Sequence, residues 1–250
     1  MSFTDEFGKG IAAYGEANRI LFKHGLFKYM VIPAIVSLVY AVLYFLGAFW
    51  LSGKLPDFAD GFPWYLSWLG PAAGWAVWTL FWLAAVAFFM ITYKMVAQIV
   101  LSPFLSQLSE AVAEKEFGGA PVKTGWAEAI KDIQRSIVLS FRNILREVFF
   151  GLVVSLIPAV GSFVALGVSG YYSGFNFMDY TMERHRMSLG QSVAFVRKHR
   201  GLATGLGLTC NLGMYIPVIG WMIMPTYATI ASTVAVCRII GNSTGAAAVK

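Results

Sequence analysis

The side chains placed to hold a ligand in this chain are amides and guanidinium groups, not acids and nucleophiles. Asn176 and Asn211 sit inside long apolar runs, Gln98 lies just beyond another, and Arg142, Arg146 and Arg184 flank them. Amide N–H groups and guanidinium forks donate hydrogen bonds to oxyanions, so the set suits passing contact with an anion better than bond making. In the same positions, amides also satisfy broken backbone and arginines also face solvent or lipid headgroups. Metal and nucleophile chemistry find no footing. His24, His185 and His199 lie in basic, polar stretches, without Cys or acid at ligand or triad spacing, and read as solvated surface residues. Cys210 and Cys237 fall in the last apolar run and read as small hydrophobes packed in helices. No phosphate-binding loop occurs and no paired carboxylates converge, which disfavours ATP-driven transport by this chain alone and enzymes acting on lipid. No cofactor, metal or nucleic-acid partner is expected.

The elements that must position these groups are membrane helices. The chain has 250 residues, 58% apolar and 13% charged, with a net charge of +6. Four runs carry no Asp, Glu, Lys or Arg: 29–53, 61–93, 148–178 and 201–237. Each exceeds the ~20 residues that cross a ~30 Å hydrocarbon core. The N-terminus lacks a basic n-region and an apolar h-region, so the first span is expected to do the targeting. The last two runs are broken in their middles by similar residues, Ile157-Pro158-Ala159-Val160-Gly161 and Ile216-Pro217-Val218-Ile219-Gly220. Proline removes a donor, and the glycine three residues on is expected to let the chain reverse. Broken backbone at membrane depth must be sheltered by protein or line a wet cavity.

Positive charge sets the sides. Four Lys or Arg precede the first run, one separates the first two, seven fall in 94–147 and five in 179–200. The basic segments are expected inside. The run 148–178 then leaves and returns on one side. Its 31 residues are too long for one upright helix at ~1.5 Å per residue and too few for two spans of ~20 residues with a turn. Two half-depth helices fit. The expected fold is an all-α integral membrane protein in a single membrane domain, 1–240. It has two long transmembrane helices (about 29–51 and 64–93) and two Pro/Gly-broken re-entrant, hemi-penetrating hairpins (about 148–178 and 201–237). Amphipathic cytoplasmic helices and a flexible tail at 241–250 complete it. A four-span protein is the competing arrangement.

Residues 5–24 read as an interfacial helix capped by Thr4 or Asp5. Trp64 and Trp68 suit an aromatic belt, and Trp75, Trp78 and Trp82 read as packing residues. The second span is expected to continue past Lys94, bend near Ser102-Pro103 and end at Gly118-Gly119-Ala120-Pro121. Residues 125–147 form a predicted amphipathic helix, its basic face meeting solvent, lipid headgroups or an anion vestibule. Ser188 and Gln191 make a capping box, and Gly205, Gly207 and Gly213 are expected to allow close helix packing.

In this order the chain resembles the CysZ family of bacterial inner-membrane sulfate-uptake proteins over roughly residues 10–240. The likeness rests on Gly25-Leu26 entering the first span and on Pro103-Phe104 followed by Leu108 and Glu110. It rests also on Asp179-Tyr180 with Glu183, His185 and Arg186, and on the Ile-Pro pairs of both breaks. The resemblance implies passive, channel-like sulfate entry across the bacterial inner membrane that feeds cysteine synthesis, with several copies assembled around the route. It also implies that sulfate is held where the chain turns into the first span, by a Gly-Leu/Ile-Arg-Arg segment. Here that segment is Gly25-Leu26-Phe27-Lys28, so a point charge at Lys28 stands where the family offers two planar forks. Lys28 with free amides at a helix start suits an anion; Lys28 as an interfacial anchor is the plainer role. Sulfate or a related oxyanion, membrane lipid and further copies of the chain are the expected partners. A non-conducting scaffold that binds lipid or a partner protein is the alternative function.

Overall fold

The computed structural model describes residues 2–55, 69–118, 126–155, 157 and 160–248. Among them are nine helices and no strand. Helix α1 (Phe3–His24) opens on a capping box in which Ser2, not Thr4 or Asp5, is the cap and Asp5 returns the bond. Its apolar stripe, Ala13, Ala17, Ile20 and Leu21, is buried. This helix does not lie alone on a surface: it packs on α8 (Arg200–Met214) and α9 (Ile219–Ala248).

Helix α2 (Lys28–Ser52) and α3 (Leu69–Val100) pair antiparallel. Tyr44 donates to the Ala85 carbonyl at 2.7 Å, Tyr40 to Thr92 at 2.6 Å, and Ser37 and Tyr93 share a bond at 3.0 Å. Pro103 starts α4 (Ser102–Phe117), which Gly118 ends at φ +65°, as expected for both. Helix α5 (Trp126–Ser155) does not stop at 147. The amphipathic stretch and the apolar run form one continuous helix, because nothing between Ile144 and Gly151 breaks its hydrogen-bond ladder. The helix ends before Pro158, and α6 (Gly161–Arg184) returns along it. A short α7 (Leu189–Lys198), capped by Ser188 and Gln191 as expected, leads to α8.

Helix α9 reverses on α8, and the reversal differs in detail from the expectation. The residue in the left-handed region is Val218, at φ +63°, not Gly220. Gly220 is needed for contact instead, since a Cβ there would strike the Gly213 carbonyl. Close approach recurs through the bundle. A Cβ on Gly207 would fall on the Gly170 carbonyl, one on Gly205 on the Phe7 carbonyl, and one on Gly213 on the Met224 thioether. These glycines pack helices as expected.

Pro225 leaves the Trp221 carbonyl without its usual i+4 amide inside α9. Ser37 and Tyr93 supply the missing donors, bonding the Trp221 carbonyl from α2 and α3. That joint also fixes depth. Ser37 is nine residues into α2, about 14 Å from its start, so the α8–α9 turn reaches roughly the middle of α2. Beyond it α2 and α3 continue as a bare pair. Trp75 and Trp78, expected to pack, are 71% and 48% exposed because no third helix among the described residues reaches them.

Among the described residues, three helical segments are long and apolar enough to cross a bilayer: Lys28–Ser52, Gly70–Tyr93 and Ile219–Gly241. Only 17% and 11% of the first two windows are buried against 61% of the third. Helices α2 and α3 thus offer their surfaces outward, whereas α9 is wrapped by its own chain. The histidines also differ from expectation. His24 pairs with Glu116 at 2.8 Å and His199 with Glu6 at 2.7 Å, joining the two ends of α1 to α4 and α8; only His185 is exposed.

Candidate functional site

Antiparallel pairing of α5 with α6, and of α6 with α8, brings polar residues from distant sequence into one seam. At its base Arg135 Nη2 donates to Asp179 Oδ1 at 2.9 Å and to Ser192 Oγ at 2.8 Å. Two turns along α5, Asn143 Nδ2 donates to Asn176 Oδ1 at 2.6 Å. The remaining Asn143 Oδ1 and Asn176 Nδ2 are buried with no protein partner. One turn nearer the hairpin tips, Ser173 donates to Asn211 Oδ1 at 3.0 Å and Asn211 Nδ2 donates to Ser169 Oγ at 2.9 Å. Ser169 in turn donates to Glu147 Oε1 at 2.7 Å. The seam opens there into a pocket of about 220 Å³, lined by Tyr93, Glu147, Ser169, Asn211, Met214 and Tyr215 among others. That is well above the ~10–15 Å³ needed to seat one water. Met90, Ile91, Ile144, Val148 and Leu166 make most of its wall apolar, with Tyr93, Glu147, Ser169 and Asn211 as polar groups.

Arg142 and Arg146 lie one turn apart on α5, within electrostatic reach of Arg197 and Tyr172. Arg142 Nε and Nη2 are buried and lack a hydrogen-bond partner. Burial and then the neighbouring Arg146 charge pull its pKa down, the direction an uncompensated cation takes. Arg184 does not join this cluster. It sits three turns from Tyr172 on α6, where its Nη2 faces Cys237 Sγ at 3.4 Å. The Gln98 side chain lies outside the described residues.

The turn expected to bind an anion is compact. Gly25, at φ +60°, ends α1; Leu26 is fully buried; Phe27 stacks edge-on to Phe22 at 5.0 Å; and Lys28 Nζ lies 5.0 Å from the Tyr29 ring centroid. The amides of Gly25, Leu26, Tyr29 and Met30 already donate to backbone carbonyls. The anion-facing capacity of this turn thus narrows to the amides of Phe27 and Lys28 and the Lys28 ammonium. Lys23 and Lys115 add positive charge beside it: Lys23 pairs with Glu116 at 2.8 Å and Lys115 donates to the His24 carbonyl at 3.0 Å. Hydrogen bonds from Lys23 and His24 hold the Glu116 pKa down to about 2.

Of the sequence-predicted residues, Asn176 and Asn211 join one seam with Arg142 and Arg146 beside it. Gly25 to Lys28 belong to the separate α1–α2 turn. Asn143, Glu147, Ser169 and Ser173 were not singled out from sequence. Their signal was spacing: 143 with 147, and 169 with 173 and 176, each mark one face of a helix.

The family description "Sulfate transporter CysZ/Etoposide-induced protein 2.4" matches residues 13–225. Sulfate transporter CysZ of Pseudomonas paraeruginosa (strain DSM 24068 / PA7) is 26% identical over 225 residues, covering 84% of this chain and 87% of that protein. Sulfate transporter CysZ of Vibrio cholerae serotype O1 (strain ATCC 39541 / Classical Ogawa 395 / O395) is 26% identical over 242 residues, covering 90% of this chain and 91% of its own. With a match across most of its length and an all-helical, membrane-type fold, the chain belongs to the sulfate transporter CysZ/etoposide-induced protein 2.4 family.

Proposed function

We propose that the protein carries sulfate, or an oxyanion of like charge and shape, passively across the bacterial inner membrane, along the seam between two re-entrant hairpins. The observation that carries this reading is the polar chain Ser173–Asn211–Ser169, which opens into a pocket at the level where helix α8 ends. An anion leaving water needs fixed donors to offset its lost hydration, and the Asn211 amide, which spends one N–H on Ser169, has a second to offer. Glu147 opposes an anion in that pocket, and Arg142 and Arg146, within the two preceding helical turns, offset its charge. The re-entrant topology is supported by the level of the α8–α9 turn, near mid-α2, and by basic segments on both sides of the run 148–178.

One copy does not complete the route. Past the hairpin tips, among the described residues, only α2 and α3 continue, and two helices enclose nothing. Their bare apolar faces suit further copies of this chain, which would wall the outer half of the pathway. The turn Gly25–Lys28 lies apart from the seam and serves in this reading as the anion's first contact, through Lys28 and the open amides of Phe27 and Lys28.

Radiolabelled sulfate flux into liposomes holding the pure protein tests the proposal. Flux above that of empty vesicles is expected, falling at least ~10-fold in Asn211→Leu, about what ~1.4 kcal/mol of lost stabilisation gives. Lys28→Ala is expected to lower flux more than Lys9→Ala on α1. Flux equal to empty vesicles would remove the transport reading, and equal effects of the two lysine variants would remove Lys28 from the site.

A further inference from the structure

Two further arginines, Arg197 and Arg200, stand at the end of a groove that sulfate passage does not use. A groove of about 690 Å³ runs along α5 and α6, open to the outside. Its length is apolar: Phe150, Val154, Val164 and Val168 line it. Gly167 lies between the last two, and a Cβ there would meet nothing within 4 Å, so the floor is open. Its character changes at one end, where Tyr171, Tyr172, Arg197 and Arg200 replace the aliphatic residues. From Val164 to Tyr171 along α6 is about 10 Å. The apolar end lies toward the hairpin tip and the arginine end toward the basic face that the charge distribution assigns to the cytoplasm.

Positive charge predominates at the polar end, with Glu147 the acid that also acts on Tyr172. Arg142 and Arg146 of α5 act on Tyr172 together with Arg197 of α7. The nearby acids are engaged elsewhere: Asp179 pairs with Arg135, and Glu147 accepts from Ser169. Arg197 and Arg200, two guanidinium groups at the mouth of an apolar groove, suit an anionic group there. A free inorganic anion would leave the adjoining apolar groove unfilled. A molecule with an anionic head and a hydrocarbon tail fills both.

We infer that this groove is a binding site for one anionic phospholipid of the inner leaflet. The phosphate is seated by Arg197 and Arg200 near the Tyr171 and Tyr172 hydroxyls, and an acyl chain is laid over Gly167 toward Val154 and Val164. Such a lipid would fill the gap beside a hairpin that spans only part of the bilayer. The inference does not depend on which ion the protein carries.

Native mass spectrometry of the full-length protein, delipidated and then exposed to phosphatidylglycerol or phosphatidylcholine of the same chains, tests it. One retained phosphatidylglycerol per chain is expected, with apparent affinity at least ~10-fold above phosphatidylcholine. Arg197→Gln with Arg200→Gln is expected to lose that preference. Gly167→Leu, which leaves every charge in place and fills the groove, is expected to weaken both lipids. Soluble glycerol 3-phosphate at equal concentration is expected not to compete. Equal retention of the two lipids, an unchanged preference in the arginine variant, or full competition by glycerol 3-phosphate with Gly167→Leu unaffected would each overturn it. Melting temperature with and without phosphatidylglycerol reads the same site independently: a rise in the native protein and none in either variant is expected, and an equal rise in all three would also overturn it.

Discussion

The carbonyl of Trp221 shows how one residue choice in this chain recruits two others. Pro225 withholds the amide that would close the α-helical bond, and an unpaired carbonyl at membrane depth costs about 1–3 kcal/mol. Ser37 and Tyr93 reach it from separate helices and thereby tie α2, α3 and α9 together. Ser37→Ala with Tyr93→Phe is expected to destabilise the protein by about 1–3 kcal/mol, measured as loss of thermal stability in detergent. Adding Pro225→Ala returns the missing amide, so most of that loss should be recovered; no recovery would mean that the hydroxyls serve something other than this carbonyl. Glu116 is a second residue whose bonds set a measurable property. Its pKa is lowered to about 2 from an ordinary 4.5 by Lys23 and then His24. A depressed carboxyl contributes stability that is fully present above its unfolded pKa and is lost as pH falls through the folded one. Stability is therefore expected to decline between about pH 4.5 and 2, and Glu116→Gln to be less stable near neutral pH but flatter across that window.

At the scale of elements, the contact of α6 with α8 depends on absent side chains. Gly207 approaches Gly170 and Gly174 so closely that any Cβ would occupy backbone space, whereas Gly47 on α2 faces nothing within 4 Å. Gly207→Ala is expected to cost about 1–3 kcal/mol or more. Gly47→Ala is expected to gain up to about 1 kcal/mol, since alanine is the better helix former. Opposite signs in parallel melting curves are the check. These same helices show what was legible in the chain beforehand. Charge-free runs placed α2 and α3, and the second Ile-Pro break placed the α8–α9 reversal, whereas Pro158 and Ala159 of the first break lie outside the described residues. The fate of Trp75 and Trp78 was not legible, because an exposed membrane helix and a packed one are equally apolar. Nor was the continuity of α5, whose amphipathic and apolar halves differ in composition but not in helical propensity. The seam was half legible. Asn176 and Asn211 stand out as amides in apolar runs, while Ser169 and Ser173 are small, common helix-contact residues until α8 is laid against them. His24 and His199 pair with acids 92 and 193 positions away, which no local spacing records.

At the scale of the whole molecule the question is how much of the bilayer each part crosses. Helices α2 and α3 are long enough to span it, and α9 is also long and apolar enough by composition alone. Burial separates them, because a helix enclosed by protein over most of its length is relieved of matching the hydrocarbon thickness. The loops provide the decisive measurement. If the run 148–178 dips and returns, Gly118 and Gln191 lie on the same side, where their neighbouring Lys and Arg also place them. If α5 and α6 together made one crossing, the two sites would face opposite compartments. Single cysteines at these positions, in a background with Cys210→Ser and Cys237→Ser, are expected to react with an impermeant thiol reagent only from the inner face. Gly118 is exposed at the end of α4 and Gln191 in the first turn of α7, so access is not limited by burial. Labelling from opposite faces would mean that α6 does not return the chain to the side from which α5 enters. The pocket at Asn211 would then have no broken backbone to serve, and a seam leading into it would be packing rather than a path.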